Sequence, residues 1–227
     1  YTAEITRSYA EGNVTGIGTS KKQIGGLVGS NYAAITESYA TGNVEGAEDV
    51  GGLIGGNSEA VISRSYATGS VTGVDSLYYS NTNIGGLVGY NYGGAIVDTF
   101  ATGAVSGTTN VGGLVGWNDG FMTVSSITNS YSIGAVTGTT AVGGLVGDNT
   151  DGLIYDAFWD TDTSGQSQGV GVAGTVDGVT GKTSAELKNY FTYPIGDGGE
   201  IQGWDIVEDA SLSDVYPQLR WATSGLS

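Results

Sequence analysis

Gly25-Gly26-Leu27-Val28-Gly29 returns as Gly51-Gly52-Leu53-Ile54-Gly55, Gly85-Gly86-Leu87-Val88-Gly89, Gly112-Gly113-Leu114-Val115-Gly116 and Gly143-Gly144-Leu145-Val146-Gly147. The starts lie 26, 34, 27 and 31 residues apart. A second block, of the form Ser-Tyr-Ala-Thr-Gly, alternates with the first and centres on Tyr9, Tyr39, Tyr66, Phe100, Tyr131 and Phe158. Recurrence at this period marks an architecture in which each repeat is one supersecondary unit. It gives about six units of roughly 30 residues, the last incomplete.

Aligned on the aromatic residue, the units form columns. Ile5, Ile35, Ile62, Ile96, Ile127 and Ile154 stand four positions before it. Ser8, Ser38, Ser65, Thr99, Ser130 and Ala157, all small, stand one before it. Val14, Val44, Val71, Val105 and Val136 stand five after it. Gly16, Gly46, Gly73, Gly107, Gly138 and Gly165 stand seven after it. Asn31, Asn57, Asn91, Asn118 and Asn149 follow the glycine blocks. Length changes are confined to the stretch before the glycine block, as at Asp75 to Asn83, and the stretch after the Asn column, as at Asp119 to Ser126. Such insertions map to loops of a stacked coil.

Short runs rich in Val, Ile, Thr and Tyr and bounded by Gly read as strands. One unit is too small to bury its own apolar face, but stacked units bury Ile on Ile and Val on Val. Glycine inside a strand costs roughly 0.5–1 kcal/mol against alanine, so its return at one offset implies a backbone need such as positive φ at a corner. The Asn column suits an amide ladder, with side chain pairing to side chain along the stack. Residues 1–165 therefore read as an all-β parallel β-solenoid with about three short strands per coil. Right-handed winding is the expectation for parallel crossovers. Two columns resist the pattern. In the glycine block adjacent Leu and Val should point to opposite faces, which sends Leu27, Leu53, Leu87, Leu114 and Leu145 outward unless a bulge intervenes. The aromatic column shares its parity with the charged or amide residues two before it, so an outward aromatic ladder of Tyr9, Tyr39, Tyr66, Phe100 and Tyr131 is expected. It would either stack on itself or serve as a binding or lateral packing surface.

Composition excludes whole classes of function. There is no His and no Cys, so no Ser-His-Asp triad, no cysteine nucleophile, no imidazole or thiolate metal site and no disulfide. Seven basic residues against 23 acidic ones give a net charge of −16, which disfavours nucleic acid and direct insertion into an anionic membrane. No run of apolar residues is long enough to span a bilayer.

The alternation of Gly-Gly-Leu-Val-Gly blocks with Ser-Tyr-Ala-Thr-Gly blocks resembles the GLUG-motif repeats of large bacterial surface and adhesin-type proteins. The resemblance runs from Ile5 to Gly165. The stretches Ala157 to Gly165, Trp204 to Val207 and Tyr216 to Arg220 also resemble the usual end of such arrays. It implies a secreted, extracellular or cell-surface structural protein, an adhesin or a filament, and it supplies no catalytic residues.

Residues 166–227 lack the period and read as a C-terminal capping region. One short helix is expected within Thr183 to Tyr190, with Thr183 or Ser184 as its N-cap. At the other end the chain starts in mid-repeat, so self-association end to end, or contact with upstream repeats of a longer chain, is expected at the first coil. Arg7, Lys21 and Lys22 there would complement the acidic C-terminal part. Asp160, Asp162 and Ser164, followed by Gly165, match the start of a calcium loop but lack its bidentate Glu, so Ca²⁺ is the one cofactor candidate. Asp148, Asp151, Asp156, Asp160 and Asp162 offer carboxylates for a polysaccharide-degrading enzyme, yet scattered surface acids more often solvate. The expectation is a non-catalytic extracellular element that meets a surface glycan or a host protein, with a carbohydrate-binding module on the aromatic ladder as the alternative.

Overall fold

The computed structural model describes residues 3–17, 22–75, 82–173, 177–189 and 216–217. The chain is a parallel β-solenoid whose strands stack into four sheets. One coil shows the plan: Val61–Ala67, Val71–Gly73, Thr82–Gly85 and Val88–Tyr92 each lie in a different sheet. The columns read from the sequence lie on successive rungs. Ile5, Ile35, Ile62, Ile96, Ile127 and Ile154 pair in one register, as do Val28, Ile54, Val88, Val115 and Val146. Five coils contribute strands to all four sheets and a partial sixth follows.

Each coil has four strands rather than three because the glycine block is itself a corner. Strands end at Gly51, Gly85 and Gly112 and resume at Ile54, Val88 and Val115. At this corner two successive N–H groups meet one carbonyl: Leu53 and Ile54 both donate to the Leu87 oxygen, at 2.9 and 3.0 Å. That is the signature of a bulge, in which two residues oppose one. The bulge turns Leu and Val to the same side. Leu53, Leu87, Leu114 and Leu145 are fully buried together with Ile54, Val88, Val115 and Val146. A second apolar stripe holds Val44, Val71, Val105 and Val136 against Val50, Ile84 and Val111.

Glycine is required in these blocks for close approach and not for positive φ. A Cβ on Gly86 would lie 2.1 Å from the Gly113 carbonyl oxygen, and one on Gly52 would lie 2.2 Å from that of Gly86. The left-handed corners fall instead on larger residues. Arg7, Glu37, Arg64, Asp98, Asn129 and Asp156 all have φ between 44 and 52°. Gln23, Asp49, Asn83, Asn110 and Ala141 form a second such column. Asp and Asn are enriched in this region because a short polar side chain bonds locally there. Of the column that ends in Gly165, only Gly165 has positive φ, 71°. The left-handed residue at Arg7 or Glu37 also explains the small column next to it: the Ser38 hydroxyl accepts the Ser8 N–H at 3.1 Å, and that of Ser65 accepts the Ser38 N–H at 3.1 Å.

The stack continues past Gly165 although the motif does not. Val170–Ala173 pairs with the strand Val146–Thr150, and Val179–Lys182 pairs with Leu153–Asp160. A single-turn helix, Ser184–Leu187, follows, with Thr183 as N-cap and Glu186 completing a capping box. At the other end Ile5, Val14, Ile24, Leu27 and Val28 are only partly buried, unlike their counterparts in the second to fourth coils. Arg7 bonds Glu37 at 2.7 Å and Lys22 bonds Glu48 at 2.7 Å, so each cation of the first coil pairs with an acid of the second. Lys21 lies outside the described residues.

Candidate functional site

Two ladders and one turn come first, and each determines what its residues can do. The Asn column is internal. The Nδ2 groups of Asn31, Asn57, Asn91 and Asn118 donate to the Oδ1 of the next Asn in the column at 2.7, 2.8, 2.8 and 2.7 Å, ending on Asn149. Those of Asn57, Asn91 and Asn149 also donate to the carbonyl three residues on, Ala60, Gly94 and Gly152. Buried polar groups so paired hold the corner and leave nothing for a ligand.

The aromatic column points away from both apolar stripes and stacks on itself. Centroid separations from Tyr9 through Tyr39, Tyr66 and Phe100 to Tyr131 are 5.2, 5.0, 4.8 and 5.2 Å, with planes within 9° of parallel. Ring faces are therefore covered by ring faces. Exposure falls along the column, from Tyr9 at 56% to Phe100 and Tyr131, both buried. The Tyr131 hydroxyl donates to the Pro217 carbonyl, so Pro217 lies against this ladder. Burial raises the Tyr39 and Tyr66 phenols above their usual range, helped by neighbouring Glu11 at the first and by Tyr39 at the second.

Asp160 and Asp162 sit in a turn where protein donors occupy their oxygens. Asp160 Oδ1 accepts the N–H groups of Asp162 and Thr163, and Oδ2 accepts the hydroxyls of Ser184 and Tyr216 at 2.6 and 2.7 Å. Asp162 Oδ2 accepts the Ser184 N–H at 2.9 Å, and the buried Ser164 hydroxyl accepts the Gln166 N–H. Burial opposes ionisation of Asp160, but these hydrogen bonds outweigh it and hold its carboxyl below the usual range. The arrangement ties the helix and Tyr216 to the last coil. Among the described residues no group of three or more acidic side chains is gathered as a metal ion needs.

A fourth feature lies on the outer surface of the Asn-bearing sheet, and the sequence columns gave no sign of it. There Tyr90, Trp117 and Asp148 occupy successive rungs, where the first two coils carry Ser30 and Gly56. Tyr90 and Trp117 rings lie 5.0 Å apart at 40°, and Tyr92 lies 6.3 Å from Tyr90. Tyr90 donates to Asp119 Oδ2 at 2.8 Å, Trp117 Nε1 to Thr150 Oγ1 at 3.3 Å, and Thr150 to Asp148 Oδ1 at 2.9 Å. Burial, then the Asp119 hydrogen bond and charge, push the Tyr90 phenol far above its usual range. Burial and the Asp119 charge raise the Asp148 carboxyl, against the opposing Thr150 bond. Beside this cluster the loop after Asp119 exposes Phe121 and Met122 at 73 and 74%. Asp151 and Asp156, the other carboxylates singled out in the sequence, are exposed.

Four consecutive segments, residues 22–45, 46–72, 80–106 and 107–137, match the family described as the GLUG motif. These segments are GLUG repeats. Each matched GLUG segment spans one corner block and ends at or beyond a Val-column residue. The rungs built by residues 4–15 and 146–182 extend the same stack outside the matched segments. Comparison with curated proteins and with solved structures gave no match.

Proposed function

We propose that this GLUG-repeat chain is a non-catalytic structural and adhesive element of an extracellular or cell-surface protein, a rod that holds its outward side chains at fixed spacing. The observation that carries this reading is the Asn amide ladder, unbroken from Asn31 to Asn149 and locked to the backbone in four of its coils. Such a column makes every coil the template of the next and leaves the interior full of side chains that do no chemistry. The first rung offers the backbone groups of four parallel sheets beside half-covered Ile5, Val14 and Leu27, an edge to which a further coil adds in the same register. That coil comes from the same polypeptide or from another copy.

Antibody labelling of intact source cells tests the location: surface label is expected, and label confined to permeabilised cells would overturn it. Incubation of the chain with soluble polysaccharides tests the chemistry. No new reducing ends are expected, and turnover abolished by Asp148→Asn would replace the structural reading with an enzymatic one.

A further inference from the structure

We propose that the surface built by Tyr90, Trp117 and Asp148 is a binding site for a neutral glycan. It goes beyond the structural role above and stands on a different part of the molecule from the aromatic column. Inside that column, from Tyr39 to Phe100, each ring face is covered by the next ring at about 5 Å, so a sugar would find edges only. Tyr90 and Trp117 are instead inclined at 40° and partly exposed, which leaves ring surface to meet the C–H face of a pyranose. Aromatic residues with a polar handle suit a ligand that is apolar on one face and hydroxylated at its rim.

The polar groups around the rings are placed as such a ligand requires. Tyr90 and the Trp117 indole are held in position by Asp119 and Thr150, so little side-chain freedom is lost on binding. Thr150 donates to one oxygen of Asp148, and the other oxygen of this partly exposed carboxylate faces no donor among the described residues. It is an acceptor for a sugar hydroxyl. On the neighbouring corner the side chains of Asp49, Asn83 and Asn110 form a second polar rail, with Asn83 donating to Asp49 and Asn110 to Asn83, each at 2.8 Å. Asp49 lies near enough to act electrostatically on Tyr90. A few convergent polar groups around an aromatic floor are the usual make-up of a small-ligand site.

The sign of the charge selects the ligand. Asp49, Asp119 and Asp148 surround the rings, and the whole chain carries −16, so uronic acids and sialic acids are repelled while uncharged hexoses and N-acetylhexosamines are not. The exposed Phe121 and Met122 stand on the loop that follows Asp119.

The test is titration of the whole chain with hexasaccharides of β-1,4-glucose, mannose, xylose and N-acetylglucosamine, with hexagalacturonate as the acidic probe. Saturable binding of at least one neutral hexamer is expected. Trp117→Ala and Asp148→Asn should each weaken it by roughly tenfold or more, while Tyr32→Ala, an exposed aromatic on the first coil, should leave it unchanged. Thermal melts establish that the variants fold, and Asp148→Asn carries the test alone if Trp117→Ala does not. No neutral binding, a preference for hexagalacturonate, or equal losses in all three variants would overturn the proposal. So would a dimer that Trp117→Ala dissolves without any effect on sugar, since the rings would then be covered by a second copy. Cleavage of the bound hexamer would sink the non-catalytic reading and leave the site standing.

Discussion

Gly12 and Gly69 occupy the same place in the repeat and live in different surroundings. A Cβ on Gly12 would meet nothing within 4 Å, whereas one on Gly69 would lie 2.0 Å from the Gly42 carbonyl oxygen. Gly42, Gly103 and Gly134 are equally tight, at 1.9 to 2.0 Å. The first coil and the inner coils thus share a motif and differ in what lies beneath them. Ile5 is partly buried where Ile35, Ile62, Ile96 and Ile127 are at 0% exposure. A repeat residue in a solenoid has no fixed energetic value, because most of its contacts come from its neighbours in the stack.

The largest difference between first and inner coils is expected at the glycines. Gly69→Ala should cost about 4 kcal/mol or more or prevent folding, since the opposing atom is backbone and cannot rotate away. Gly12→Ala should stay within about 0.5 kcal/mol of the parent. Chemical denaturation of both variants checks this, and equal losses would mean that the first coil is covered in solution. Next comes Ile96→Ala, expected to cost about 2–5 kcal/mol because the surrounding coils cannot collapse into the hole. Ile5→Ala should cost clearly less, and fusing one further coil upstream of the first rung should erase the difference.

Asn91→Ala removes the acceptor for Asn57 and the donors to Asn118 and Gly94, so urea melts should show a loss of about 2 kcal/mol. The end of the rod responds to acid instead. The folded state lowers the Asp160 carboxyl, so its contribution is fully present above the unfolded value near 4 and is lost as pH falls through the lower folded value. Amide protection in Ser184–Leu187, taken relative to the intrinsic exchange rate at each pH, should fall in acid before protection in the coils does. Asp160→Asn should remove that pH dependence and cost about 1–2 kcal/mol. The smallest effect belongs to Lys22→Ala, below about 1 kcal/mol, because its bond to the partly exposed Glu48 is screened by salt and the buried Asp49 keeps its hydrogen bond from Asn83.

Much of this could be read from the chain alone. The Ile, Val and Asn columns were legible because each rung repeats the chemistry of the last, so a one-dimensional period reports a three-dimensional neighbour. The direction of the Leu column was not legible: it is outward on a straight strand and inward where a bulge intervenes. Alternation assumes a continuous strand, and the bulge at Leu53-Ile54 is visible only where two N–H groups share the Leu87 carbonyl. The left-handed corners were hidden for a similar reason. Glycine is the residue usually read as a sign of positive φ, yet here Arg, Glu, Gln, Asp, Asn and one Ala take those positions. The rungs at Val170–Ala173 and Val179–Lys182 carry no motif, and only the preceding coil makes them strands.

The sequence by itself determined the repeat, the parallel stacking, the buried Ile and Val columns and the Asn ladder. These follow from identical side chains recurring in register, where burial and amide pairing reward alignment. Tertiary structure alone decided the four-sided coil, the role of the glycines, the use of Asp160 as an anchor and the meeting of Tyr90, Trp117 and Asp148. Those last three residues belong to different coils and to no shared motif, so their proximity comes from the stacking itself and cannot be read from any one repeat.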